Sequence, residues 1–339
     1  GCSDDDESAV TPAGTSAGAT GGGTSSGSET GGSGGNGGSG ETGGSGGTSG
    51  GWRVLPIRSE QEFQQGLEGG EAEQHPHGIA RSHSNPDVIY LSHDVAGSWR
   101  STDGGDSWHH CLDRGLTVRA GQSIEVDPVD PDIVLFIVDN SYDYLAEGYE
   151  GLFRSENGGD DWTLVLNLDT GYDSSIHRIF RHNVAYDPSS LTADRAQRWY
   201  AAFPGDGLYR SEDGGVTWST SPLSSLAGHD TIYGVHAHPS DGQTVYVATS
   251  QGLLVSVTQG ADLHAHGDLP QGAVSPLAID PASPSTIYAP VLDVGQYRSS
   301  DGGTSFSAVR SYDAARVFMN PGFPDTLYLV GTSSNTIIT

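Results

Sequence analysis

The sequence contains no lysine, only two cysteines and no long apolar run, and each shortage excludes a class of protein. All fifteen basic residues are arginine, against 43 Asp and Glu, which gives a formal net charge of −28. A protein that binds nucleic acid needs a basic stripe, and none is visible, so no nucleic-acid partner is expected. The same acidity disfavours electrostatic attachment to anionic lipid.

The missing motifs are equally informative. No stretch of about 18 apolar residues exists that could span a membrane as a helix. Nothing resembles a P-loop, a GxGxxG after a strand, a CxxC site or a GxSxG nucleophile elbow. The pairs His75/His77, His236/His238 and His264/His266 have strand spacing for two metal ligands, but His238 occupies a turn position that is Asp or Asn in other repeats. We therefore predict no cofactor and no metal.

Residues 1–51 form a segment of Gly, Ser, Thr, Asp and Glu with almost no large apolar side chain. Such a segment cannot bury enough surface to offset its ordering entropy, so we predict a disordered tether. Gly1-Cys2 resembles the processed end of a bacterial lipoprotein, which implies lipidation of Cys2 and an extracytoplasmic, lipid-anchored location in the cell envelope. The membrane would then be reached through this lipid only.

A short stretch recurs four times between residues 52 and 339. The copies are RSTDGGDSW from Arg100, RSENGGDDW from Arg154, RSEDGGVTW from Arg210 and RSSDGGTSF from Arg298. Upstream of each copy lie two apolar runs separated by an Asp-Pro or Asn-Pro turn. The order predicts four antiparallel strands per unit of roughly 45–55 residues, as in propeller blades.

Two weaker units begin at Val235 and Val317, and the first of them lacks the Asp-Gly-Gly turn. The fold class is therefore predicted to be all-β, a six-bladed propeller with seven blades as the alternative. The last unit lacks a fourth strand, and we expect residues 51–57 to supply it, since closure removes exposed strand edges. Residues 52–339 are thus assigned to one monomeric propeller domain. Cys111 is expected to be an unpaired, half-buried strand residue.

The repeated turn has a structural explanation. Its Asp or Asn can accept hydrogen bonds from backbone N–H groups of the same turn, and its glycines supply positive φ angles. The aromatic residue that follows can bury a large ring. The predicted structural residues are Ser101, Asp103, Gly105, Trp108, Ser155, Asn157, Gly159, Trp162, Ser211, Asp213, Gly215, Trp218, Ser299, Asp301, Gly303 and Phe306.

The pattern S-x-D-x-G-x-[ST]-W resembles the Asp box of the bacterial neuraminidase repeat. This repeat also occurs in sortilin-type receptors, xyloglucan-cleaving glycosidases and a photosystem assembly factor family. In those families the box lies at the blade periphery, so the resemblance implies the fold without choosing a function. The Arg-Ile-Pro motif of sialidases has no match in this sequence. The most similar segment, WRVLPIR from Trp52, differs from it.

Any site is expected at the mouth of the central channel, among loops that enter first strands or join second to third strands. The candidate ligand-binding residues there are Arg119, Tyr142, Asp143, His177, Arg178, His229, Asp230 and Arg316; no catalytic residue is assigned. The leading interpretation is a non-enzymatic binding module for glycan or protein. The alternatives are a glycoside hydrolase and an assembly scaffold. Two carboxylates facing each other would favour the hydrolase, whereas an arginine-lined channel without them would favour the scaffold.

Overall fold

The computed structural model describes residues 76–93, 97–116, 121–138, 151–168, 181–229, 231–310, 315–320, 323–330 and 337–338. The chain divides into two units, 1–52 and 53–339, and all described residues belong to the second. The predicted tether, Cys2 and the expected closing strand at residues 51–57 lie outside the described residues. No helix within the described ranges is long and apolar enough to cross a membrane.

The described residues form six antiparallel sheets, each built from strands that are consecutive in the chain. The first sheet holds β1 (Pro76–Arg81), β2 (Ile89–His93), β3 (Ser98–Ser101) and β4 (His109–His110). The second holds β5 (Gly121–Val126), β6 (Val134–Val138), β7 (Gly151–Ser155) and β8 (Thr163–Asn167). The third holds β9 (Val184–Tyr186), β10 (Trp199–Ala202), β11 (Gly207–Ser211) and β12 (Ser224–Ser225).

The remaining sheets repeat this order. The fourth holds β13 (Ile232–Ala237), β14 (Val245–Thr249), β15 (Gly252–Ser256) and β16 (His264–Ala265). The fifth holds β17 (Ala278–Ile279), β18 (Ile287–Val291), β19 (Gly295–Ser299) and β20 (Ser307–Arg310). The sixth has three strands among the described residues, β21 (Arg316–Asn320), β22 (Phe323–Val330) and β23 (Ile337–Ile338). A short 3-10 helix at Pro188–Ser190 is the one helical segment in these ranges. The predicted all-β propeller is confirmed, and the described residues form the six predicted blades.

The core lies between successive sheets, and strand β6 shows how the sequence builds it. Every residue of β6 is buried. Val134, Phe136 and Val138 pack toward the first sheet, whereas Leu135 and Ile137 pack toward the third. Successive strand residues point to opposite faces, so a strand between two sheets must be apolar throughout. This requirement explains why β6 reads VLFIV.

The repeated turns share one hydrogen-bond pattern. In all four copies the Ser hydroxyl donates to the Asp or Asn Oδ1 at 2.7–3.0 Å and accepts from the N–H of the second glycine at 2.8–3.0 Å. The same Oδ1 also accepts a backbone N–H four residues further on, at 2.8–2.9 Å. Trp108 and Trp162 are buried, while Trp218 and Phe306 are half-buried.

The fourth sheet contains a fifth version of this turn that the sequence did not reveal. Ser256 Oγ accepts from the N–H of Gly260 at 2.9 Å, just as the repeat serines do. Gln259 takes the first glycine's place with a positive φ of 58°. Asp262 bonds the Ser256 hydroxyl at 3.2 Å. The turn therefore forms without the Asp-Gly-Gly sequence, because it keeps the serine and the second glycine.

The arginine that opens each of the first three repeats joins its sheet to the next one. Arg154 Nε donates to the carbonyl of Gly214 at 2.8 Å, and Arg210 Nη1 donates to the carbonyl of Gln259 at 3.0 Å. Arg100 pairs with Asp132 of the second sheet at 2.5 Å. Cys111 is unpaired, as expected, but it follows β4 instead of lying in a strand, and it is buried rather than half-buried.

Candidate functional site

The inner strands of the propeller end together around a pocket. A parallel bridge between His182 and Gly234 shows that neighbouring inner segments run in the same direction. Two adjoining cavities of about 270 and 300 Å³ open there. They share the lining residues His83, His182, His236 and Ile279. The described lining of the pocket thus draws on all six sheets and the segments beside them.

Among the described residues that line the pocket, Glu125 is the one with an acidic side chain. It is the penultimate residue of β5, and its side chain is only 13% exposed. Its Oε1 accepts the N–H of Val126 at 3.1 Å. Burial raises the pKa of Glu125 to about 8, since charge is costly away from water, although the nearby Arg316 cation opposes this effect. Glu125 is therefore mostly protonated at neutral pH.

His182 lies beside Glu125 and carries a shifted pKa of its own. Its Nδ1 is 3.5 Å from Glu125 Oε2. Burial, assisted by the Arg316 cation, lowers the pKa of His182 to about 4. At that distance the two groups would form an ion pair only if both were charged. Burial instead makes both neutral near pH 7, so we describe this contact as one between neutral groups.

His236 stacks on His182 from the neighbouring sheet, with 5.0 Å between ring centroids and 22° between planes. Its Nε2 accepts the N–H of Leu277 at 3.0 Å, which places the ring proton on Nδ1 when the ring is neutral. Burial first, and then the charges of His182 and Arg316, lower the pKa of His236 well below its usual value. The stacked pair is thus neutral at physiological pH.

Arg316, the first residue of β21, lines the larger cavity. Its guanidinium lies 4.9 Å from the centroid of the Phe318 ring. Burial lowers the pKa of Arg316 to about 10, so the side chain stays cationic at neutral pH. Within the described lining of the pocket, the result is one fixed positive charge near one neutral carboxyl group and neutral imidazoles.

Tyr186 and His83 also line the smaller cavity. The Tyr186 hydroxyl is 3.4 Å from His83 Nε2, and the two rings meet edge to face at 6.0 Å. Burial raises the pKa of Tyr186. These groups offer a neutral hydroxyl and two ring faces to a ligand beside Glu125.

The structure brings one of the predicted mouth residues to this pocket. Arg316 lines it, whereas His229 lies elsewhere and bonds through Nδ1 to the Thr249 hydroxyl at 3.1 Å. The other six predicted ligand-binding residues lie outside the described residues: Arg119, Tyr142, Asp143, His177, Arg178 and Asp230. None of the repeated-turn residues lines either cavity.

Sequence reasoning missed Glu125, His182 and His236. One signal was available for Glu125, because it is the single charged residue in the strand GQSIEV, whose other members are buried. His236 had attracted attention only as half of a His-x-His pair. No group of three potential metal-ligating side chains occurs in the part of the chain that the structure describes.

Comparison with known proteins places the chain near xyloglucanases. It is 27% identical over 244 residues to a xyloglucanase of Paenibacillus sp, which covers 68% of this chain and 20% of that protein. The xyloglucanase Xgh74A of Acetivibrio thermocellus is also 27% identical, over 68% of this chain and 25% of its own length. No protein-family model matches the chain.

Solved structures agree on the fold. The GH74 enzyme of Niastella koreensis superimposes with a TM-score of 0.58 at 19% identity, covering 78% of this chain and 45% of that one. YCF48 from Cyanidioschyzon merolae superimposes with a TM-score of 0.50 at 14% identity, covering 79% of this chain and 95% of that one. At these identities the superpositions establish a shared propeller fold and nothing further.

These matches correct the leading interpretation of the sequence. A non-enzymatic binding module was expected, but the curated proteins that this chain is similar to are named as xyloglucanases. That expectation is therefore wrong, and the hydrolase alternative is favoured. The chain spans only 20–25% of the length of these two relatives.

Proposed function

We propose that the chain is a glycoside hydrolase in which Glu125 serves as the general acid. Two observations support this proposal: the similarity to xyloglucanases, and the position of Glu125, whose buried carboxyl group lines a pocket of the propeller. The second observation carries it, and the raised pKa that follows from this burial agrees with it. Hydrolysis of a glycosidic bond needs an acid that is still protonated at working pH, and such acids are carboxyl groups with raised pKa values.

The chemistry follows from the surroundings of Glu125. A sugar bound in the smaller cavity would receive the Glu125 proton on its glycosidic oxygen as the bond breaks. The carboxylate left behind would be stabilised by the Arg316 cation. This cation is in place before the reaction, so little reorganisation is needed.

Glycosidases pair this acid with a second carboxylate, which acts as a base or a nucleophile. The nearest acidic side chain in sequence, Asp127, already accepts the N–H groups of Val129, Asp130 and Ala196 at 2.8–3.1 Å. These bonds give Asp127 a structural role in the turn after β5. We therefore assign the acid alone and leave the second group unassigned.

The names of the relatives make xyloglucan the first substrate to test, together with other neutral and acidic polysaccharides. Polymers of this size are degraded outside the cytoplasm, which agrees with the expected extracytoplasmic location. Lipidation of Cys2 and attachment of the propeller through residues 1–51 remain part of this proposal. Radiolabelled palmitate incorporated into the native protein, but not into a Cys2→Ala variant, would test the anchor.

The experiment is a hydrolysis assay of the full chain on this panel, with released reducing ends measured and products identified by mass spectrometry. Glu125→Gln should lower the rate by about 10²–10⁴-fold, the usual contribution of a positioned acid. Asp194→Asn makes the same acid-to-amide change at an exposed loop residue and should leave the rate unchanged. Hydrolysis of no polysaccharide, or full activity in Glu125→Gln, would refute the proposal.

A further inference from the structure

We infer that the pocket is closed where the inner strands begin and therefore accepts only the end of a polysaccharide chain, so that terminal units are removed and internal bonds are spared. The inner strands are β1, β5, β9, β13, β17 and β21. The choice of a sugar chain rests on the proposed function, whereas the closure of the pocket rests on contacts between inner segments.

The first reason is that the inner segments of the first three sheets bond directly to one another where their strands begin. The N–H of Arg181, three residues before β9, donates to the carbonyl of His77 in β1 at 3.2 Å. The N–H of Asn183 donates to Ser123 Oγ of β5 at 3.0 Å. The bond to His77 joins the first sheet to the third, which are not consecutive, so the channel is narrow at this end.

The third to sixth sheets are joined in the same way. The bonds run from His182 N–H to the Tyr233 carbonyl at 2.9 Å, from Leu277 N–H to His236 Nε2 at 3.0 Å, and from the Ser275 hydroxyl to the Ala315 carbonyl. A sugar chain cannot pass between segments that are hydrogen-bonded to each other. The described inner segments therefore form a closed end of the pocket.

The second reason is the burial of polar side chains at this closed end. Each is at most 4% exposed: Gln122, Ser123, Asn183, Thr231 and Ser275. Polar side chains are mostly exposed where water reaches them, so an open aqueous passage at this point would leave them accessible. Their burial indicates that the channel is filled here by the protein itself.

The pocket opens at the other ends of the same strands. The lining residues there are the last residues of inner strands or follow them, and all are half-buried or exposed: His83, Tyr186, Pro188, Ala237, Pro239, Ile279 and Pro281. Glu125, the penultimate residue of β5, lies on this side of the closed end. A sugar chain can therefore approach Glu125 from one direction.

The third reason is a contact beside Glu125 at this opening. The Tyr186 hydroxyl of the third sheet lies 3.4 Å from His83 Nε2, which follows β1 of the first sheet. This contact passes the second sheet, which carries Glu125 between them. A chain with sugar units on both sides of the cleaved bond would have to displace it, whereas a chain end can enter next to it.

The size of the pocket agrees with a terminal unit. Cavities of about 270 and 300 Å³ lie at the small end of the range for ligand pockets. One or two sugar rings fit this space. A polymer cleaved at an internal bond needs a groove that is open at both ends, and the closed end removes one of these openings.

The activity test compares viscosity with released reducing ends on xyloglucan, and on any polymer of the panel that the full chain cleaves faster. Removal of terminal units should release reducing ends while the viscosity falls little, and mass spectrometry should find one short product from the start. A rapid fall in viscosity with products of many lengths would overturn the inference and leave the proposed hydrolase standing.

A binding test separates the closed pocket from the hydrolase. Isothermal titration of Glu125→Gln with a xyloglucan oligosaccharide should show binding that a bulky fluorophore at one end of the sugar weakens at least tenfold, while the same group at the other end does not. Equal binding of the free and both labelled forms, or binding of none, would overturn the inference. End-dependent binding to a parent protein that hydrolyses nothing would refute the hydrolase but not the closed pocket.

A variant at the opening tests the contact beside Glu125. His83 is exposed, so His83→Ala should fold. Added to Glu125→Gln, it should bind the oligosaccharide labelled at the excluded end at least fivefold more tightly than Glu125→Gln alone. His264→Ala, at an exposed position on β16, makes the same change away from the pocket and should have no effect. Equal binding of the labelled sugar with and without His83→Ala would overturn the restriction at the opening.

Discussion

His182 and His236 stack face to face across the boundary between the third and fourth sheets, with their ring centroids 5.0 Å apart. Only neutral rings tolerate this arrangement beside Arg316, because three neighbouring cations would repel one another in a poorly hydrated pocket. The protonation state of these two rings therefore affects how the third sheet packs against the fourth.

Replacing His182 should make the protein less sensitive to acid. Its pKa falls from 6.5 in the unfolded chain to about 4 in the fold, so the unfolded chain takes up this proton first as the pH drops. The stability that the neutral ring contributes is present above pH 6.5 and is lost as the pH falls through about 4. Urea unfolding of His182→Phe between pH 7 and 4 should show a shallower loss than the parent protein. The exposed His264→Phe should follow the parent, and a His182→Phe curve that also follows it would contradict the buried neutral ring.

Glu125 should have the opposite effect on stability. Its pKa rises from 4.5 to about 8 on folding, so the folded protein holds the proton more tightly. Its contribution is full below pH 4.5, declines as the pH rises, and is lost through pH 8. Glu125→Gln cannot ionise, so it should become more stable than the parent as the pH is raised from 5 to 8. Thermal unfolding at each pH measures this, and two parallel curves would show that Glu125 is not buried as a neutral acid.

The rate of hydrolysis should fall above pH 8. Glu125 can donate a proton only while protonated, and kcat/KM reports groups of the free enzyme, so the alkaline limb of kcat/KM should follow its pKa of about 8. A pH–rate profile of the parent protein measures this limb. An alkaline limb below pH 6 would exclude Glu125 as the acid.

The repeated turn should be important for stability and irrelevant to catalysis. Ser211→Ala removes a hydroxyl that donates to Asp213 Oδ1 at 2.8 Å. The same hydroxyl accepts the N–H groups of Asp213 and Gly215 at 3.3 and 3.0 Å. Leaving buried backbone groups without this partner should cost about 1–3 kcal/mol in the free energy of unfolding. Thr220→Ala, at an exposed position, should change it by less than about 0.5 kcal/mol. A reduced kcat in the folded Ser211→Ala variant would contradict the separation of turn and pocket.

The blades could be predicted because their signals are local. Each RS-x-D-G-G turn specifies a hairpin through contacts within five residues, and alternating burial, as in β6, explains the apolar strands. The turn at Ser256 was missed because Gln259 adopts a positive φ that sequence rules reserve for glycine, while Asp262 replaces the usual turn Asp.

The pocket could not be predicted in the same way. Glu125, His182, His236 and Arg316 come from four different sheets, and no spacing in the sequence relates them. Arg316 was selected because it precedes an inner strand, and its length carries it into the pocket. The others lie on inner segments where burial, rather than any motif, creates the shifted pKa values.

The most direct test of the account is a crystal structure of Glu125→Gln soaked with an oligosaccharide that the parent protein cleaves. The account predicts a sugar ring in the pocket at the ends of the inner strands, with a glycosidic oxygen within hydrogen-bond distance of the residue 125 side chain. An oligosaccharide bound away from Glu125, outside the two cavities, would contradict it.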